Sequence, residues 1–221
     1  MMQTRKKYDK KLQTVSDKLV LMCRHIESVV EKCIKLLTER DSTLASEIRK
    51  ENKRIDKLER KIELACMKLL IMEQPVAGDF RKISATMKMI TDLERIGDQA
   101  WDIAKIATNF EDKCYMKELD KIPQMATIVI QMVKDSVHAH INSDLELACS
   151  LDIIDDKVDN LFKAIMSDIV ALIKKDPNAA EHAIMLIMIT KYLERIGDHA
   201  VNVGEWVEYS ITGIHPKRKM E

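Results

Sequence analysis

Turn-forming residues are scarce. The chain has five Gly and four Pro in 221 residues. Sheets, hairpins and irregular loops draw on both for their special dihedrals. Few turns therefore fit, which argues against an all-β sandwich or a doubly wound α/β fold and for long helices joined by short loops. Charge of one sign is also missing. Lys plus Arg and Asp plus Glu both number 36, giving a formal net charge of zero. A general nucleic-acid binder would carry a basic surplus, so no nucleic-acid partner is expected. The longest apolar run, Ala183 to Ile189, is far too short to span a bilayer. Arg5, Lys6 and Lys7 open an amphipathic stretch rather than a signal peptide, so the expected location is the cytoplasm. The five Cys (Cys23, Cys33, Cys66, Cys114 and Cys149) contain no CxxC pair. They read as small buried hydrophobes in a reducing compartment.

What is present is helical periodicity. The hydrophobic fraction is 46 %, ample for a core, and apolar residues recur at three- and four-residue steps. A first helix is expected from Tyr8 to Leu37, with Leu12, Val15, Leu19, Met22, Ile26, Val29, Cys33 and Leu36 on one stripe. Asp41 suits the N-cap of a second, with stripe residues Leu44, Ile48, Ile55, Leu58, Ile62, Ala65 and Leu69. The segment Gln74 to Gly78 breaks it, and Asp79 is placed as the cap of a third. A polar linker is expected from Asn109 to Asp120, Pro123 in the first turn of a fourth helix, and Ser143-Asp144 at the start of a fifth. Asp176-Pro177 opens a sixth, ending near Thr212 with Gly213 as the stop.

The halves are related. Leu93-Glu94-Arg95-Ile96-Gly97-Asp98 recurs as Leu193-Glu194-Arg195-Ile196-Gly197-Asp198, and Asp41, Leu44, Ile55, Asp56 and Leu58 map onto Asp144, Leu147, Val158, Asp159 and Leu161. A register kept across two helices of each half indicates a duplicated three-helix unit. The fold class is all-α, two tandem homologous three-helix bundles, with residues 1–112 as the first and 113–221 as the second.

The repeated hexapeptide carries the chemistry. With Leu93 at heptad position a, Glu94 falls at b and Asp98 at f, so both are expected to point away from the core. Side chains four apart share a helix face, and Asp102 follows one step on. The second copy holds Glu194, Asp198 and Asn202. The preceding helix of each half offers Asn52 and Asp56, or Asp155 and Asp159. Oxygen-rich clusters of this kind suit hard or borderline metals. Against this stands the plain reading of a solvated acidic face, part-neutralised by Arg95 and Arg195. Gly97 and Gly197 lie mid-helix, where Gly costs about 0.5–1 kcal/mol relative to Ala, so a close approach of a neighbouring helix is expected there. His199 reads as a satisfied edge residue rather than a ligand.

Two longer stretches carry a family resemblance. Gln74-Pro75-Val76-Ala77-Gly78-Asp79-Phe80-Arg81 with Leu93 to Asp98, and Lys191 to Asn202 with Thr212-Gly213, resemble the two halves of the PhoU family over nearly the whole chain. The resemblance implies two three-helix bundles and a cytoplasmic negative regulator of phosphate uptake and of the phosphate-starvation response. It implies two partners, the ATPase subunit of a phosphate ABC transporter and a phosphate-sensing histidine kinase. A homodimer is expected, with the membrane reached only through partners. It further implies multinuclear iron or another divalent metal (zinc, manganese or magnesium) at paired acidic motifs. The matching residues are Glu94, Asp98, Glu194, Asp198, Asp155 and Asp159. On the second helix Asn52 departs from the pattern, leaving Asp56, with Asp102 as a compensating donor and Asn52 and Asn202 as weaker ones.

Two other functions remain. A ferritin-like di-metal oxidoreductase would need Glu-x-x-His pairs facing a four-helix core. None of the six His has Glu three residues before it. A purely structural helical adaptor would leave the repeated acids and the mid-helix glycines unexplained. No nucleophile–base set or phosphate-cradling Gly loop is found, so no enzyme is expected. The 14 Met read mostly as core filler, with a partner groove as the other use.

Overall fold

The computed structural model describes residues 2–39, 41, 43–109 and 120–216, with side chains from residue 6 on apart from residue 7. It contains six α-helices: α1 (Met2–Glu39), α2 (Thr43–Glu73), α3 (Ala77–Ala107), α4 (Lys121–Asn142), α5 (Leu145–Lys175) and α6 (Ala180–Thr212). A 3-10 turn, Pro177–Ala179, leads into α6. At 1.5 Å per residue, a 31-residue helix such as α2 is about 46 Å long. Both the polar linker and the boundary expected between residues 112 and 113 lie largely or wholly outside the described residues, as does Cys114.

The punctuation expected from sequence is mostly in place. The Asp41 carboxylate accepts from the Thr43 backbone N–H (3.0 Å) and hydroxyl (2.5 Å). Asp144 caps α5 by accepting from Leu147 N–H at 3.0 Å, and Asp176 accepts from Asn178 N–H at 3.0 Å. Gly213 ends α6 with φ of 79°, a left-handed conformation that glycine adopts without steric cost. Two details differ. The first helix starts at Met2 rather than Tyr8. In α3 the cap position is Val76, and Asp79 sits inside the first turn, where its charge still complements the positive helix end.

Successive helices run antiparallel within each half. Lys11 of α1 pairs with Glu73 of α2 at 2.6 Å, and Lys32 with Glu47 at 2.9 Å. The halves meet chiefly along α3 and α6, with α1 against α4. The apolar stripes merge into a continuous buried cluster spanning both halves. Cys23, Cys33 and Cys66 belong to it, whereas Cys149 is exposed, contrary to the expectation that the cysteines are buried. Met22, Met89, Met125 and Met132 fill the core, while Met67, Met72 and Met188 are exposed.

The mid-helix glycines mark close contacts between helices. A Cβ at Gly97 would stand 2.7 Å from Asn52 Oδ1 and 3.0 Å from Ile55 Cδ1. At Gly197 it would stand 3.0 Å from Asp155 Oδ1. Gly204 has no counterpart in the repeated motif. There the added atom would meet Leu151 Cδ1 at 2.7 Å and the Ala148 carbonyl at 3.1 Å. Gly78, in contrast, has nothing within 4 Å. Gly204→Ala should therefore lower thermal stability, the Ala148 backbone being unable to yield, by about 1–3 kcal/mol as for other overpacked sites. Gly78→Ala should be neutral or stabilise by up to about 1 kcal/mol. Parallel urea titrations measure both; equal midpoints would refute the assignment of Gly204 as a packing glycine.

Candidate metal centre

The Gly97 contact brings the polar residues of α2 against those of α3. Asn52 is only 8 % exposed and donates from Nδ2 to Asp98 Oδ1 at 3.0 Å. Its Oδ1 has no hydrogen-bond partner among the described residues. Asp56, one turn further along α2, converges with Glu94 and Asp98. One carboxylate oxygen from each of the three lies within 4.8 Å of the others. All three are half-buried, which corrects the expectation that Glu94 and Asp98 point away into solvent. Heptad positions b and f are solvated only when no helix lies alongside; here α2 covers them.

Burial and mutual repulsion act on this cluster. Loss of water, followed by the Asp98 charge, raises the Asp56 carboxyl above its ordinary value. The same two causes, in the same order, raise Glu94. Arg95 stands 3.8 Å from Glu94, too far for a hydrogen bond, so it neutralises the site weakly. Three convergent carboxylates with an unpaired amide oxygen beside them fit a hard or borderline divalent metal. Asp102 does not join them. It pairs with Lys105 instead.

The second half gathers its acids differently. Asp155 is pushed up to about 7, first by burial and then by the charges of Asp198, Asp159, Glu194 and Asp152. Asp159, however, is exposed, and both oxygens of Glu194 accept from Lys191 at 2.6 Å. The first half has Thr91 in that place, so Glu94 carries no such clamp. Among the described residues, Asp56, Glu94 and Asp98 are the group that meets metal-holding distances. The half in which Asn52 departs from the acidic pattern thus has the tighter cluster.

Asn202 and His199 serve the contact between halves. His199 Nδ1 lies 2.9 Å from Asp92 Oδ1, and Asn202 Nδ2 donates to the same oxygen at 3.3 Å. His199 is thus an edge residue with a partner, as expected of a helical His. Asp92 and Lys191 were not singled out in the sequence, because each acquires its role only from a neighbour distant in the chain or from the turn geometry.

Asp155 supplies a pH test. Its folded-state pKa of about 7 exceeds the ordinary 3.8. Its contribution to stability is therefore full below pH 3.8 and is lost as pH rises through 7. In metal-free protein, Asp155→Asn should raise the melting temperature at pH 8 by about 2–4 °C, the shift of ~1 kcal/mol in a chain of this size once partial exposure screens the charge. The gain should vanish by pH 4. Scanning calorimetry in chelator at the two pH values measures it, and a gain equal at both would rule out ionisation of the Asp155 carboxyl as its cause.

Two segments of the chain, residues 19–107 and 122–207, match the PhoU domain. A Clostridium acetobutylicum protein named "Phosphate-specific transport system accessory protein PhoU homolog" is 35 % identical over 211 residues, covering 95 % of this chain and 96 % of that protein. A Caulobacter vibrioides protein of the same name is 33 % identical over 211 residues, covering 95 % and 92 %. The crystal structure of PhoU from Pseudomonas aeruginosa superposes with a TM-score of 0.85 at 32 % identity, covering 94 % of this chain and all of that one. The phosphate transport system regulatory protein PhoU from Streptococcus pneumoniae gives 0.86 at 25 % identity, covering 96 % and 100 %. With both halves matched and the whole fold shared, the chain belongs to the PhoU domain family.

Proposed function

We propose that this protein is a metal-binding regulatory accessory protein of phosphate transport, acting in the cytoplasm without catalytic turnover of its own. It represses phosphate uptake and the phosphate-starvation response through the ATPase subunit of a phosphate ABC transporter and a phosphate-sensing histidine kinase. The relatives' names support the transport role. The carrying observation for the metal is the convergence of Asp56, Glu94 and Asp98 beside the unpaired Asn52 oxygen. Asp155, Asp159, Glu194 and Asp198 are the second, looser set, in which Asp159 is exposed and Glu194 is held by Lys191. Iron is the first choice, with zinc, manganese and magnesium as alternatives. Burial and then mutual repulsion raise Asp56, Glu94 and Asp155; a bound cation removes the repulsion and so stiffens the groove between paired helices. The regulator acts as a homodimer and reaches the membrane through its partners.

Metal addition to chelator-treated protein should raise the melting temperature, and Asp56→Asn with Glu94→Gln and Asp98→Asn should abolish most of that rise. Elemental analysis of untreated protein should find the metal in the parent and less of it in the variant. Protein without metal and without response to any of the four ions sinks the metal part. For the regulatory part, the parent gene should restore repression of phosphate uptake in a strain lacking its own copy. Full repression by the triple variant would separate metal from regulation.

A further inference from the structure

The first half carries a cleft of opposite charge one helical turn from the acidic cluster. It measures about 500 Å³ and is lined by Ala45, Ser46, Arg49, Lys50 and Lys53 of α2 and by Trp101 of α3. Arg49 lies three residues before Asn52, and Trp101 three after Asp98, so the cleft continues the same α2–α3 groove. Arg49, Lys50 and Lys53 are exposed and Trp101 is half-buried.

The local carboxylates are engaged elsewhere. Glu47 pairs with Lys32 at 2.9 Å, Glu51 with Arg54 and His25 at 2.5 Å each, and Asp102 with Lys105. Arg49, Lys50 and Lys53 make no ion pair among the described residues, although the Lys53 charge is felt by Asp56 through space. Arg49 and Lys53 repel at a four-residue step. An anion in the cleft would relieve that repulsion.

The second half is an internal control. Its repeat-equivalent positions hold Asp152, Ile153 and Asp156, and Val201 stands where the first half has Trp101. The charge is reversed and the indole is gone. The cationic cleft is thus a feature of one half rather than of the repeated helix surface.

We propose that this cleft binds a phosphorylated nucleoside, with Arg49, Lys50 and Lys53 on the phosphates and the Trp101 indole against the base. A guanidinium matches phosphate oxygens two at a time, and lysines add point charges. An indole stacks on any nucleobase. The volume suits a small ligand rather than a macromolecule.

Trp206→Phe leaves Trp101 as the sole tryptophan, so its fluorescence reports the cleft. Titration of full-length protein with ATP is done in chelator, which removes any metal-bridged binding at the acidic cluster. The expected result is saturable quenching with half-saturation near or below about 100 μM at low salt. It should weaken at least about tenfold in R49E/K53E and also with added salt, as a screened charge interaction does. R49Q/K53Q, which only neutralises, should lie between. Tripolyphosphate should compete without quenching, and adenosine should not bind. No saturation by ATP at 1 mM (on the order of 4 kcal/mol of binding) overturns the proposal, and so does quenching unaffected by R49E/K53E. Tripolyphosphate or inorganic phosphate binding as tightly as ATP, with no quenching by ATP, also overturns it by leaving an anion patch without a base pocket. A melting temperature unchanged in R49E/K53E separates lost binding from lost folding.

Discussion

The structure depends on how closely α2 can approach α3, and α5 can approach α6. Gly97 and Gly197 remove the Cβ atoms that would hold the helix pairs apart. Each glycine weakens its own helix by about 0.5–1 kcal/mol. The approach buries Ile55 and Val158 completely, and full burial of a single aliphatic side chain contributes about 1.5–3 kcal/mol. The net effect favours the contact. Its geometric consequence matters more than its energy. A helix that closes on the glycine brings its own polar side chain at that level, Asn52 or Asp155, against the acids flanking the glycine. Close packing and carboxylate clustering are therefore one event.

Duplication then allowed the two grooves to diverge. In the first, Asn52 keeps the count of charges at three and Glu94 is unclamped. In the second, Asp155 adds a half-buried acid, and Lys191 offsets it by holding Glu194 with two hydrogen bonds. The outer edge differs by sign, with Arg49 and Lys53 on one side and Asp152 and Asp156 on the other. The zero net charge of the chain is thus an average over grooves of opposite character, and it says little about any one of them.

The fold was legible because its signals are local. Apolar stripes, Asp caps at positions 41, 144 and 176, the αL stop at Gly213 and the repeated hexapeptide each depend on residues within a few positions. Sequence spacing named Asp56, Glu94 and Asp98, which the structure brings together, but it also named Asp102, which pairs with Lys105 instead, and it missed the setting. Heptad reasoning treats a helix as having one buried seam. Here α3 touches α1, α2 and α6, and α6 touches α3, α4 and α5, so positions b and f are covered by neighbours that a single-helix pattern does not contain. The tighter of the two clusters was also hidden, since counting acids favours the second half. The start of α3 was misplaced for a related reason. Gln74 adopts a left-handed φ of 45°, which completes the turn early enough for the helix to begin at Ala77.

The contact between halves occupies the same turns of α3 as the acidic cluster. Asp92, which receives His199 and Asn202 of α6, stands two residues before Glu94 on a continuous helix. Thr86, one and a half turns earlier, lies 3.0 Å from Nε2 of buried His140 on α4. Burial keeps that imidazole neutral by lowering its pKa to about 3, so this contact between halves is uncharged at ordinary pH. A helix is stiff along its axis, and close-packed interiors transmit strain rather than absorb it. Any change in the charge or occupancy of Glu94 and Asp98 therefore acts on a helix already bonded to α4 and α6. With a core continuous across both halves, the repeat is a unit of ancestry, while the physical unit is the whole six-helix body.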